Sequence, residues 1–236
     1  MIAISSTTST PTVPRRRGLK AAAKQAIRAA INNVVERYLC IDTTDLAGAK
    51  TNGQHGDSIA YEPLDYPFLL RTLNAMDLQE TDIVYEIGCG MGRVLCLLAR
   101  RRIRRGVGIE LSAELAERAR ANVTAVRAPK SPVHVVTGDA AMADYDDGNV
   151  FFMFHPFGPS TMRATLDRIR VSIDRRPRTV RIMYVNPFHE DVLEASGWLV
   201  CRERLRSRWF NTFASYWFSE GSSGAGSGRG EGNHDQ

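Results

Sequence analysis

Three glycines, Gly88, Gly90 and Gly92, stand two apart where a short β-branched run, Asp82-Ile83-Val84-Tyr85-Glu86, gives way to a helix-period stretch from Met91 to Arg102. A strand, a glycine turn and a helix in that order read as the opening of a βαβ unit, with parallel strands and helices on both faces. Open sheets of this kind bind ligands beyond the carboxyl ends of their strands, where this turn lies. Glycine lets a backbone turn tightly and approach a ligand closely, and the first N–H groups of a helix receive anionic or polar groups. The spacing is G-x-G-x-G. A dinucleotide turn needs G-x-G-x-x-G, and Arg93 fills the place of its third glycine. No Lys-Ser/Thr follows, so the turn is not a P-loop.

The rest of the chain repeats the alternation. Leu64 to Met76 carries a helical apolar stripe. Gly106 to Glu110, Val133 to Thr137, Asn149 to Phe154 and Thr179 to Val185 read as further strands. Ser112 is a good N-cap for a helix that buries Leu115 and Ala119, and another helix is expected from about Ser160 to Ile173. After Asn186 come a short helix, about Glu190 to Ser196, and two alternating runs, Trp198 to Leu205 and Trp209 to Phe218. The predicted fold is α/β: a Rossmann-like, doubly wound, mostly parallel seven-stranded sheet with an antiparallel C-terminal hairpin.

The ends differ in composition. Residues 1–17 are Ser/Thr/Pro-rich, close on Arg15-Arg16-Arg17 and lack the apolar stretch of a secretory signal; we expect a disordered N-terminus. Residues 18–60 are expected to form a helical extension and loop. Leu19, Ala23, Ile27, Ile31, Val34 and Tyr38 recur at helical spacing as a face for docking on the main domain, with Lys20, Lys24 and Arg28 opposite. The alternative is a basic helix lying on anionic lipid or nucleic acid. The main domain is expected over 61–218, and the Gly/Ser-rich 219–236 is expected to be a disordered tail. With 31 Lys and Arg against 26 Asp and Glu, the net charge of +5 permits an anionic partner without demanding one. No apolar run approaches the roughly 20 residues that span a bilayer. The 4 cysteines form no C-x-x-C pair and no zinc spacing, so no metal site is expected and a reducing cytoplasm is the default.

The segment Glu86-Ile87-Gly88-Cys89-Gly90-Met91-Gly92 resembles the first motif of the class I S-adenosyl-L-methionine (SAM)-dependent methyltransferases. The resemblance extends over roughly 60–218. It implies that the turn, with Cys89, wraps the methionine and ribose portion of the cofactor and that Glu86 contacts its amino acid end. Glu110 ends the second strand, and with Leu111 beside it can accept both ribose hydroxyls. Asp139 in Gly138-Asp139-Ala140 would accept from the adenine amino group, and the Ala140 N–H would face the ring. Tyr61, in a loop before the first core helix, would close over the methionine end, as related methyltransferases do; its other reading is a buried staple for that helix.

The acceptor is expected where the fourth strand runs into Phe154-His155-Pro156-Phe157. Amino-directed members of the resembled family carry (Asn/Asp/Ser)-Pro-Pro-(Tyr/Phe) there. This sequence is close to a bacterial F-N-P-F variant with His155 in place of Asn. His155 accepts a hydrogen bond as Asn does, serves as a general base, or simply caps the strand. Phe157 is a pocket wall or a core residue. Asn186-Pro187-Phe188 echoes the pattern one strand too late and reads as a turn before a helix. The basic cluster Arg100-Arg101-Arg102, Arg104 and Arg105 falls at a helix end, where cations suit the dipole, without accompanying aromatics.

The reading is a SAM-dependent methyltransferase acting on an unidentified acceptor: small molecule, protein or RNA. Its alternatives are a non-catalytic SAM- or nucleic-acid-binding module and a nicotinamide- or flavin-dependent oxidoreductase.

Overall fold

The computed structural model describes residues 16–44, 56–207 and 212–220, with side chains from residue 22 onward. The expectation of disordered ends falls almost wholly outside that set. Within it, the chain at 16–17 is already helical and Ser219 closes the last strand.

Helices α1 (Arg16–Leu39) and α2 (Tyr66–Ala75) precede the alternation β1 (Ile83–Ile87), α3 (Arg93–Ala99), β2 (Arg105–Glu110), α4 (Ala113–Ala125), β3 (Val133–Thr137), β4 (Val150–Phe154), α5 (Pro159–Arg175), β5 (Arg181–Val185), α6 (Glu190–Ala195), β6 (Leu199–Arg206) and β7 (Phe213–Ser219). The strands form one sheet in the order β3-β2-β1-β4-β5-β7-β6. The first five pair in parallel, and β7 pairs antiparallel with both β5 and β6. The predicted fold class is the observed one, with seven strands and the terminal hairpin folded so that its second strand lies inside. Strand order reverses between β1 and β4, which is where a doubly wound sheet opens a crevice at its carboxyl edge.

Alternating side chains split the core between the two faces of the sheet. Val84, Phe152 and Met183 point to one face and meet Leu69 and Leu73 of α2 and Leu95 and Leu98 of α3. Tyr85, Phe151 and Ile182 point to the other and meet Leu166 and Ile169 of α5 and Leu193 of α6. Burial of one such side chain contributes about 1.5–3 kcal/mol. Ser112 caps α4 as expected, its Oγ accepting from Leu115 N at 3.3 Å, and Leu115 and Ala119 are buried.

Helix α1 corrects the sequence reading. It docks on the domain, but not through the expected stripe. Ile27, Val34 and Tyr38 are exposed, by 46%, 67% and 54%. The buried residues are Asn32, Glu36 and Leu39. Arg28, assigned to the polar face, pairs with the buried Asp65. The polar partners override the apolar period. Glu36 takes hydrogen bonds from Arg93 at 2.8 Å and from Tyr66 Oη at 3.3 Å, and a buried guanidinium left unpaired is costlier than a few exposed aliphatic groups. The basic cluster is corrected too. Tyr38 lies beside it, with the Arg100 and Arg127 guanidinium groups 5.3 and 5.9 Å from its ring centroid.

Candidate functional site

A cavity of about 770 Å³ opens at the carboxyl ends of β1, β2, β3 and β4. Gly88, Cys89 and Gly90 of the first turn form its floor; Glu86, Glu110 and Leu111 also line it. Asp139 and Ala140 line it beyond β3. His155, Pro156 and Phe157 close it from β4, and Tyr61 from the loop before α2. Of the expected site residues Gly92 stands apart, outside this lining. It caps α3 and lies against α4, where a Cβ would come within 3.2 Å of Ala119 Cβ.

The turn is shaped by close approach. Gly88 has φ +72°, and a Cβ on it would stand 2.5 Å from Pro156 Cβ. Gly90 has φ +52°, and a Cβ there would meet the Tyr61 ring at 2.2 Å. Left-handed backbone and lack of space both exclude a side chain at these positions. The Tyr61 ring therefore lies directly on the turn, held by its hydroxyl, which donates to Thr43 O at 2.9 Å.

Two carboxylates are buried here. Glu86 Oε2 accepts from Leu95 N in the first turn of α3 at 3.1 Å. Burial raises its pKa well above the ordinary carboxylate value, and the nearby Glu110 adds to the rise. Glu110 Oε2 accepts from Gly90 N at 2.8 Å and Oε1 from Ser112 N at 2.9 Å, which braces the turn against the end of β2. Burial raises its pKa as well. Cys89 is buried and its thiol is pushed up by burial, which makes it a wall rather than a nucleophile. Asp139 Oδ1 accepts from Ala141 N at 2.8 Å and shapes its own turn.

The β4 end is tied to the loop that carries Tyr61. Ile59 N donates to Pro156 O at 3.0 Å and Gly158 N to Asp57 O at 2.9 Å. The Asp57 carboxylate accepts from Thr161 N at 3.2 Å and from the Thr161 hydroxyl. Phe157 is both pocket wall and core, 6% exposed. His155 has φ +40°, uncommon for a residue with a side chain. Its Nδ1 is buried without a hydrogen-bond partner among the described residues. Burial, and secondly His189, hold its pKa below the ordinary 6.5.

Sequence reasoning missed the support behind the turn. Arg93, set aside there as a break in the dinucleotide pattern, is 3% exposed. Its Nε donates to Thr43 Oγ1 and its NH1 to Leu64 O, both at 2.7 Å, while NH2 meets Glu36. The one available signal was an arginine placed where a helix turns into a core. Among the described residues no group of three or more His, Cys, Asp or Glu side chains is placed to hold a metal ion, and no helix is long and apolar enough to cross a membrane.

Residues 84–172 match the family model of a methyltransferase domain. A protein-lysine N-methyltransferase of Saccharolobus islandicus (strain REY15A) is 28% identical over 97 residues, 41% of this chain and 60% of that protein. The chain thus spans less than two thirds of that relative's length. In structure the chain is similar to an RNA methyltransferase from Salinibacter ruber in complex with S-adenosyl-L-homocysteine (TM-score 0.51, 21% identity, 70% of this chain and 98% of that one). It is also similar to a variant of MtNAS in complex with S-adenosylmethionine (TM-score 0.52, 20% identity, 65% of this chain and 62% of that one). The matched segment begins in β1 and ends in α5, so the part of the chain that is similar to a methyltransferase domain holds the glycine turn, Glu86, Glu110 and the β4 end.

Proposed function

We propose that this protein transfers a methyl group from S-adenosyl-L-methionine to an acceptor that enters beside His155, Pro156 and Phe157, with S-adenosylhomocysteine as the second product. The observation that carries the reading is the convergence of two buried carboxylates, Glu86 and Glu110, on one glycine-floored cavity. Both are raised in pKa by burial, so the cavity favours a ligand that brings positive charge and hydroxyl donors. SAM has both, in its ammonium, its sulfonium and its ribose.

Gly88, Cys89 and Gly90 would cradle the methionine and ribose portion, and Glu86 would face the amino acid end. Glu110 already accepts two backbone N–H groups and has lone pairs left for the ribose hydroxyls. Leu111, Asp139 and Ala140 would hold the adenine, and Tyr61 would cover the methionine end. Bound there, the cofactor supplies an electrophilic methyl group. The chain's own work is to align the acceptor's lone pair and to exclude water, which accounts for much of the rate in a displacement of this kind. His155 Nδ1, without a hydrogen-bond partner among the described residues, would accept from the acceptor.

The domain assignment belongs to the same reading: a catalytic domain over 61–218 and an extension over 18–60 that closes the site through Thr43 and Glu36. Cys89 and Cys96, buried as free thiols, fit a reducing cytoplasm.

Isothermal titration with S-adenosylhomocysteine tests the cofactor. The parent is expected to bind in the micromolar range, and Glu110→Ala to lose at least tenfold, because two backbone donors and the ribose lose their acceptor. Absence of binding by the parent rejects the reading.

A further inference from the structure

Helix α1 spends its polar side chains on the domain and leaves aliphatic ones outside. Arg28 and Glu36 pair with Asp65 and Arg93, and Asn32, Glu36 and Leu39 are buried. Ile27, Val34 and Tyr38, spaced seven and four residues apart, share the opposite face, and all three are exposed. The row runs roughly 16 Å along the helix.

The surroundings of this row are positive. Lys24, exposed, stands one turn before Ile27. The Arg100 and Arg127 guanidinium groups lie over the Tyr38 ring, and Arg100 NH2 donates to Tyr38 Oη at 3.3 Å. Among the described residues none of these three cations is paired with a carboxylate. The one acid in α1 is Glu36, buried on the other side of the helix.

This combination of charge and apolar area selects the occupant. A second copy of the chain would set the same cations against each other. A nucleic acid would use the arginines and the Tyr38 ring but gain nothing from Ile27 and Val34, which offer neither charge nor a stacking face. An anionic bilayer uses every part. Aliphatic side chains enter the boundary between headgroups and acyl chains, and tyrosine sits at headgroup level. Lysine and arginine meet the phosphates while their stems stay in apolar contact.

We infer that the outer face of α1 from Lys24 to Tyr38, with Arg100 and Arg127 beside it, docks on a membrane surface rich in anionic phospholipid. None of these residues lines the cavity, so the inference stands apart from the methyl-transfer reading.

The test is flotation of the full chain with vesicles of phosphatidylcholine alone, and of phosphatidylcholine and phosphatidylglycerol in a three-to-one ratio. The parent is expected to float with the anionic vesicles, to stay behind with the neutral ones, and to release as salt rises. Ile27→Ala/Val34→Ala removes apolar area while keeping good helix formers, and should weaken partitioning about tenfold. Tyr38→Ala and Lys24→Gln/Arg127→Gln should each weaken it several-fold. All of these side chains are exposed or half-exposed, so circular dichroism and S-adenosylhomocysteine affinity should match the parent's. No flotation of the parent overturns the inference. So does flotation that Ile27→Ala/Val34→Ala leaves unchanged, which would be charge attraction without docking. Two further results overturn it by naming another occupant: binding of a single-stranded oligouridylate with no flotation, or a dimer by light scattering that Ile27→Ala/Val34→Ala dissociates, again with no flotation.

Discussion

The Arg93 guanidinium, one residue beyond the glycine turn, donates to Glu36 of α1 at 2.8 Å, both side chains almost wholly buried. This pair is the joint between the N-terminal extension and the cavity. The same guanidinium holds Thr43, and Thr43 O holds Tyr61. Removal of one member of a buried pair strands the other. Glu36→Ala is therefore expected to cost about 3–5 kcal/mol of unfolding free energy by urea titration, and Glu36→Gln, which keeps an acceptor, clearly less. A loss under about 1 kcal/mol for the alanine variant would show that α1 is held by something else.

Gly90 and Tyr61 should be strongly non-additive. Gly90→Ala forces a left-handed alanine, at about 1–2 kcal/mol, and also drives its methyl group into the Tyr61 ring. In the background of Tyr61→Ala the steric part disappears and only the backbone part remains. A double-mutant cycle on thermal stability should show that the two costs sum to more than the double variant loses. Simple additivity would mean that the ring moves aside freely.

The raised pKa of Glu86 makes a pH prediction. A carboxyl whose folded pKa lies above its unfolded value binds more protons folded than unfolded in the interval between the two. Stability from this group therefore falls as pH rises through that interval, which starts near the ordinary 4.5 and extends upward. As pH rises above 4.5 the ligand-free protein bears a growing cost, because burial opposes an ionisation that the unfolded chain undergoes freely. Glu86→Gln keeps the hydrogen bond from Leu95 N and should raise the midpoint of thermal unfolding at pH 7, with the gain shrinking as pH falls toward 4.5. A gain that is constant with pH would point away from ionisation of Glu86.

His155 carries the last prediction. Asparagine adopts left-handed backbone more readily than histidine or alanine, so His155→Asn should match or exceed the parent in thermal stability and His155→Ala should fall below it. The pH profile separates structure from chemistry. Because the imidazole is held below 6.5, parent turnover should persist to slightly acid pH and fall only as pH drops through the lowered value. His155→Asn should lack that limb. An identical acid limb in both proteins would remove His155 from the reaction.

Much of this site was legible in the chain because its signals are local. Period-two and period-3.6 patterns placed β1 through β5 to within a few residues. The glycine turn, Glu110 and Asp139 announced themselves by standing at strand ends, a relation that needs only a handful of neighbouring residues to read. The face of α1 was not legible. Its apolar period points to Ile27, Val34 and Tyr38, yet the helix turned toward Arg93, a partner distant in sequence.

By itself, then, the sequence determined the alternation of strands and helices, and with it the parallel sheet, the crevice beyond its carboxyl edge and the glycine turn on the floor, because each follows from short-range stereochemistry. Only the tertiary structure decided that Tyr61 lies on Gly90, that Glu36 answers Arg93, and that Asn186-Pro187-Phe188 stands beside His155-Pro156-Phe157. Those depend on strand order and on how buried charges and polar atoms find partners. Such choices are made between segments far apart in the chain, where no local pattern carries the information.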